Sequence, residues 1–401
     1  MLLSKKGRRE RNPRGEIMMD INEELEEEKR VRENAQRFVE MEVKPLADEM
    51  EEKQYLPREL MKKTGEAGFI APFISEEYGG GGGTYIHYAI IHEEMAKISP
   101  GYAMSVSGTG LLFGHNVYKA GLVEQKEKYL PPICSGEKIG CWALTEPNVG
   151  SDALSIESTY RRSGDQYIIN GSKTFITNAP VSDYFLVFTK HEDYKGTKGM
   201  KGGTAFILER GMEGLSAGEP LKKLGMNASP TGEISLDDVV VDRSQIMGEE
   251  GMAFSYMMNN LDIERVLGAP TSIGIAQACL EMSIEYSKQR VQFGKPIGEH
   301  QMIREKIADM AAAVDLARTY TYHVLRLAQS GHKIVKEAAV SKYYASTIGT
   351  RAALDAIQIL GGYGYMKEYF VERFLRDAKL MEIGAGTSEI QKLIISREVM
   401  R

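Results

Sequence analysis

The chain has 401 residues, of which 42% are hydrophobic, 26% charged and 8% aromatic, with a formal charge of −6. That length accommodates two or three domains with sizeable cores, and that composition is ordinary for a globular protein. Mild acidity gives no reason to expect binding to nucleic acid or an anionic membrane, and no apolar run approaches the length of a membrane span. Cys134, Cys141 and Cys279 are scattered without a CxxC, which argues against a disulfide framework or a zinc site and for a reducing compartment.

The opening "MLLSKKGRRERNPRGEIMMD" is basic but has no apolar stretch long enough for secretion. Glu10 and Glu16 also weaken a mitochondrial reading. Residues 1–21 are therefore read as a disordered or non-native extension, with Met18 or Met19 as a start, and a prokaryotic cytoplasm as the location. From Asn22 the pattern turns helical: "EELEEEKRVRENAQRFVEMEVKPLADEME" carries apolar residues at helical spacing between charges. Pro57 opens a further helix and Gly68 closes it. The run Gly79 to Gly83 is a loop rather than a phosphate motif, since no GK[ST] follows. In "AIIHEEMAK", the polar residues His92, Glu93 and Glu94 are expected on a helix surface.

Texture changes near Ile139. "DQYIINGSKTFIT", "DYFLVFTK", "GTAFILER" and "GEISLDDVVV" are short β-rich runs, and Asn170-Gly171 reads as a hairpin turn between two of them. From Gly251 the chain is helical again, in long amphipathic stretches. The expected architecture is α+β, with an N-terminal helical domain over 22–138, a middle β domain over 139–247 and a C-terminal helical domain over 248–401.

Four motifs carry little alone. "LTEPNVGSD" is a turn, "KTFITN" a strand, "RVQFGKPI" a helix end closed by Gly294 and Pro296, and "QILGGYGY" lacks the strand–helix context of a dinucleotide fingerprint. Together, in this order and spacing, they resemble the acyl-CoA dehydrogenase family over nearly the whole chain, from Glu23 to Met400. The resemblance implies a middle β-barrel or sandwich, a C-terminal four-helix domain, and FAD held between the two. It also implies that a neighbouring subunit completes the site, usually in a homotetramer. By that resemblance Trp142, Leu144 and Thr145 line the flavin, Ser151 lies beside flavin and thioester, and Phe175 and Thr177 flank the isoalloxazine. Arg290 and Phe293, with Gln301 nearby, reach the diphosphate and adenine end of a neighbour's FAD. Gln358, Gly361 and Gly362 lie under that diphosphate, and Thr387 and Glu389 contact FAD from the C-terminal loop. Three positions depart from the family's habit: Val149, Tyr363 and Glu389 stand where a smaller residue, Asn and Gln are common.

Family chemistry takes the α-proton of an acyl-CoA thioester while the β-hydrogen leaves as hydride, so a carboxylate must face Cα opposite the flavin. Most members carry that glutamate in the C-terminal loop, where this chain has Ala385. A minority place it on an earlier helix, and the matching residue in "NNLDIERVLG" is Glu264. The pairing of "LDIER" with "EIGAGTSE" resembles the isovaleryl-CoA dehydrogenase pattern. The plain alternative for Glu264 is a solvated residue paired with Arg265 or Lys288; Glu382 is a rival base. Asp262 and Arg265 match positions that contact CoA, though at i,i+3 they also suit a simple ion pair. The backbone N–H of Ala385 and a ribityl hydroxyl of FAD are expected to polarise the thioester carbonyl, and desolvation to raise the Glu264 pKa.

The implied activity is dehydrogenation of a short branched or cyclic acyl-CoA to the enoyl-CoA, with electrons passed to an electron-transfer flavoprotein. An acyl-CoA oxidase using oxygen and a non-catalytic flavin or CoA-thioester binding protein are the alternatives.

Overall fold

The computed structural model describes residues 21–401, with side chains from residue 26 onward. The expected N-terminal extension lies, but for its last residue, outside them. The first block is helical: α1 (Ile21–Phe38), α2 (Ala47–Lys53), α3 (Arg58–Glu66), α4 (Tyr85–Ala96), α5 (Pro100–Ser107), α6 (Asn116–Ala120) and α7 (Val123–Cys134). Pro57 caps α3, and beyond its end Gly68 takes a φ of 75° that favours glycine. Between α5 and α6 the chain winds through a π-helical stretch, Gly108–His115.

Seven strands follow: β1 (Gly140–Ala143), β2 (Thr159–Ser163), β3 (Gln166–Thr177), β4 (Tyr184–His191), β5 (Gly203–Glu209), β6 (Leu215–Ala217) and β7 (Thr231–Asp242). They form one sheet in the order β1-β4-β2-β3-β7-β6, with β5 paired to β4. Asn170-Gly171 is not the expected hairpin turn. The β2–β3 turn is Gly164-Asp165, with Gly164 at φ 63°. Asn170-Gly171 instead lies inside β3, where pairing with β7 slips by one residue. The Asn170 amide exchanges two hydrogen bonds with Asp238, each 2.9 Å, and a Cβ on Gly171 would come within 2.3 Å of Ser158 Oγ. The same two residue types that build tight turns here stay in the strand, and Asn170 faces a β-bulge formed by Asp237 and Asp238 of β7, where Asp238 takes a φ of 48°.

The last block is α8 (Ala253–Gln289), a short hairpin of β8 (Val291–Gln292) and β9 (Lys295–Pro296), then α9 (Gln301–Gln329), α10 (Val335–Leu360), α11 (Val371–Ile383) and α12 (Ser388–Val399). Helices α8 to α11 share one apolar core, built on residues such as Ile273, Val314, Ala353 and Phe374, and α12 lies along α10.

His92, Glu93 and Glu94 are buried, not on a helix surface. Helix α4 is wedged among α1, α5, α8 and α9, so it has no solvent face beyond His87. Its charges are met inside. Arg318 reaches Glu93 at 2.5 Å, Tyr322 Oη donates to Glu93 at 2.9 Å, and Arg32 reaches Glu94 at 2.5 Å. His92 stacks on Tyr88 with ring centroids 3.8 Å apart, and burial drives its pKa down to about 3, so it stays neutral.

Candidate active site

Two middle-domain motifs are joined directly. Thr174 N–H donates to the Thr145 carbonyl at 3.0 Å, which sets the end of β3 beside the loop after β1. Lys173 lies wholly buried beneath them. Its Nζ donates to Glu146 Oε1 at 2.7 Å and to the Leu144 carbonyl at 3.2 Å. Glu146 also accepts from the backbone N–H groups of Glu157 and Ser158. Burial pulls the Lys173 ammonium down to about 8 against the attraction of Glu146; burial also pushes Glu146 up, but the Lys173 charge and the hydrogen bonds from Lys173, Ser158 and Glu157 together hold it below its ordinary value. Glu146 and Val149 exchange backbone hydrogen bonds across the turn, and Val149 is buried in it. Ser151 is exposed just beyond.

Trp142 is half-buried, and its shielded Nε1 has no partner among the described residues. Phe175 sits in a second slip of the β3–β7 pairing at φ 57°, and its ring is 69% exposed. A left-handed backbone is costly for an aromatic residue. Ala385 (φ 53°) and Phe293 (φ 52°) share the feature, so strained positions recur among the residues that the family resemblance singled out.

Beyond Thr177, Asn178 donates to the Ser105 carbonyl at 2.8 Å and to Thr109 Oγ1 at 3.2 Å, anchoring β3 on the start of the π-helical stretch. At the other end of that stretch Asn116 donates to Glu264 Oε1 at 2.7 Å. Glu264 is 5% exposed, not solvated. Burial raises its pKa to about 7, opposed by the Asn116 hydrogen bond and the Arg265 charge. Arg265 pairs instead with Asp262 at 2.7 Å, and Lys288, 24 residues along the same helix, lies about 36 Å away.

The C-terminal loop is held from two sides. Lys342 of α10 donates to the Gly386 carbonyl at 2.6 Å, and Gln391 of α12 donates to the same carbonyl at 3.0 Å and to that of Ala385 at 3.3 Å. Burial, with a lesser push from Arg265, lowers Lys342 to about 8, so this loop and the Glu264–Arg265 turn belong to one electrostatic neighbourhood. Thr387 caps α12 by accepting from Ile390 N–H, and Glu389 is exposed beside it. No described residue accepts from the Ala385 N–H. Glu382 is hydrogen-bonded to Lys379 at 2.7 Å, which holds it below the ordinary carboxylate range despite partial burial.

A cavity of about 630 Å³ lies at the far end of α8, lined by Tyr286, Arg290, Phe293, Gly361, Gly362 and Tyr363 among others. The Arg290 guanidinium stands 5.8 Å from the Tyr363 ring centre, Phe293 is 95% exposed, and neither Gly361 nor Gly362 has any atom within 4 Å of where a Cβ would be. Gln301 and Gln358 are exposed nearby but do not line it. Arg290 follows Glu264 by 26 residues across an unbroken helix, so about 39 Å separates them.

Sequence reasoning missed Asn116, Asn260, Glu146, Lys173 and Lys342. None carries a local signal; each is marked only by burial and by a partner far along the chain.

Three family models tile the chain: the acyl-CoA dehydrogenase N-terminal domain over residues 25–137, the middle domain over 141–239 and the C-terminal domain over 249–400. A 3-(aryl)acrylate reductase of Clostridium sporogenes is 40% identical over 94% of this chain and 99% of its own. A mitochondrial isovaleryl-CoA dehydrogenase of Solanum tuberosum is 39% identical over 93% and 90%. The butyryl-CoA dehydrogenase structure from Megasphaera elsdenii superposes with a TM-score of 0.90 at 37% identity, covering 96% of this chain and 99% of that one. With all three domains matched in order, on a helix–sheet–helix chain of the same architecture, this protein belongs to the acyl-CoA dehydrogenase family of flavoprotein oxidoreductases.

Proposed function

We propose that this enzyme uses FAD to dehydrogenate a short branched or cyclic acyl-CoA thioester to the α,β-unsaturated thioester, with Glu264 as base, and passes the electrons to an electron-transfer flavoprotein. One observation carries the reading: the loop position usual for the base holds Ala385, while Glu264 is buried with a pKa raised to about 7. A carboxylate with that pKa is half ionised near neutrality and a far stronger base than a solvated one. Glu382, held acidic by Lys379, is poorly suited to the task.

The chain's own groups suit FAD. Arg290 offers a planar fork for a diphosphate, Gly361 and Gly362 leave room for close backbone approach, and Trp142 Nε1 is a shielded donor without a partner among the described residues. When bound, the flavin would accept the substrate's β-hydrogen as hydride. The separation of about 39 Å between Arg290 and Glu264 supports a further step: the Arg290 cavity serves the FAD of a neighbouring subunit, in an oligomer taken to be a tetramer. Arg290→Ala should therefore lower FAD content well below one per chain in gel-filtered protein. A fully loaded monomer by sedimentation would contradict the shared site.

In the reaction Glu264 takes the α-proton. The Ala385 N–H, without an acceptor among the described residues and fixed by the grip of Lys342 and Gln391 on the Ala385 and Gly386 carbonyls, donates to the thioester oxygen. Because it is main chain, this donor persists although the loop has lost its carboxylate. Asp262 and Arg265 would meet CoA as a preformed pair.

The experiment is anaerobic mixing with a panel of acyl-CoAs, following bleaching of the flavin. Isovaleryl-, isobutyryl-, 2-methylbutyryl-, butyryl- and cyclohexanecarbonyl-CoA test the acyl group. A 3-arylpropionyl thioester joins them because of the reductase relative. Fastest bleaching is expected with a branched or cyclic member; no bleaching with any of them would favour a binding protein, and oxygen consumption would favour an oxidase.

A further inference from the structure

Asn116 stands where the N-terminal helices touch α8, and its amide is fully engaged. One hydrogen goes to the Leu112 carbonyl at 2.9 Å, the other to Glu264 Oε1 at 2.7 Å, and Oδ1 accepts from Asn260 Nδ2 at 3.0 Å. All three side chains are buried. Burying polar groups costs free energy that apolar residues of similar size would avoid, so a satisfied Asn–Asn–Glu chain across two domains calls for another reason. Asn116 directly follows the π-helical stretch, whose wider turn changes the direction from which later side chains leave the helix. Such stretches recur at functional sites.

We propose that Asn116, oriented by Asn260, is a positioning residue that fixes one oxygen of the Glu264 carboxylate and leaves the other for the substrate's α-proton. This rests on the reading of Glu264 as the base. No described side chain or backbone group donates to Oε2. The choice of an amide is chemically apt. Among the described residues the charge that bears on Glu264 is that of Arg265, on its own helix and already paired with Asp262; from α6 comes the neutral Asn116, and Lys342 of α10 donates to the Gly386 carbonyl. A cation at position 116 would hold the carboxylate ionised and weaken it as a base, whereas a neutral donor fixes its direction at small cost in basicity.

The sign of the effect follows. Asn116 stabilises the ionised form, so its loss leaves Glu264 protonated to higher pH. In holoenzyme the rate of anaerobic flavin reduction should rise with pH through about 7 as Glu264 ionises. Asn116→Ala should move that rise up by about one pH unit, slowing the reaction about fivefold at pH 7 and about tenfold at pH 6, and recovering it near pH 9. Asn260→Ala should move it the same way by less. A uniform loss at every pH, with the midpoint unmoved, overturns the proposal. Should Asn116→Ala not fold, Asn260→Ala carries the test: a raised midpoint supports the proposal and an unmoved one overturns it. A second readout does not depend on turnover. The Glu264 carboxyl stretch, isolated as the infrared difference between a protein and its Glu264→Gln counterpart, should titrate higher once Asn116 is removed. If that band moves while Glu264→Gln still reduces flavin, the base assignment fails and the hold of Asn116 stands. If Glu264→Gln is inactive and the band does not move, the hold alone fails.

Discussion

Glu264→Gln is expected to keep the fold, the flavin and most of the thioester affinity while slowing anaerobic flavin reduction by at least about 10²–10⁴-fold. Glutamine matches the shape of the side chain and can still meet Asn116 through its oxygen, but an amide cannot accept the α-proton. Ala385→Glu in that background should restore a part of the rate. Ala385 is exposed and already carries a Cβ at φ 53°, so a longer side chain adds no backbone strain. Rescue would be incomplete, since a displacement of about 1 Å at the reacting atoms costs about 10²-fold. The decisive measurement is stopped-flow bleaching of wild type, Glu264→Gln and the double variant with one acyl-CoA. Wild-type speed in Glu264→Gln would remove Glu264 from the mechanism and turn attention to Glu382, whose Lys379 partner would then have to be displaced by substrate.

The division into helices, sheet and helices was legible because it is written in local periodicity, and so were the capping Pro57 and the helix-ending Gly68. Asn170-Gly171 misled because Asn and Gly suit two geometries; only the register with β7 distinguishes a turn from a strand interior that faces a bulge. Helix α4 misled for a related reason. "HEE" reads as solvated unless one knows that Arg32 and Arg318, from helices at opposite ends of the sequence, neutralise it. Ala385 in the loop and a carboxylate at Glu264 could be read together from the sequence, and the proposed base rests on that pairing. Asn116 was not, because its meaning comes from a contact 148 residues away.

The second large effect is expected at Lys173, beneath the two motifs proposed to line the flavin. Lys173→Met should destabilise the protein by about 3–5 kcal/mol, because it leaves Glu146 buried with its charge uncompensated. Its two backbone donors, from Glu157 and Ser158, soften that penalty without replacing the cation. The damage should not stay local. Lys173 also holds the Leu144 carbonyl, and the adjacent Thr174 N–H holds that of Thr145, so the loop and the strand bearing Phe175 and Thr177 lose their common anchor. Flavin should then be released at lower denaturant than in wild type, before or together with loss of helical signal. Glu146→Gln combined with Lys173→Met removes both charges and should recover a substantial part of the lost stability, as expected when the cost lies in an orphaned ion rather than in the pair itself. Flavin fluorescence and circular dichroism along a urea gradient measure both. A Lys173→Met variant within about 1 kcal/mol of wild type, retaining its flavin to the same midpoint, would mean that the backbone hydrogen bonds alone hold the two motifs together and that the buried pair is dispensable.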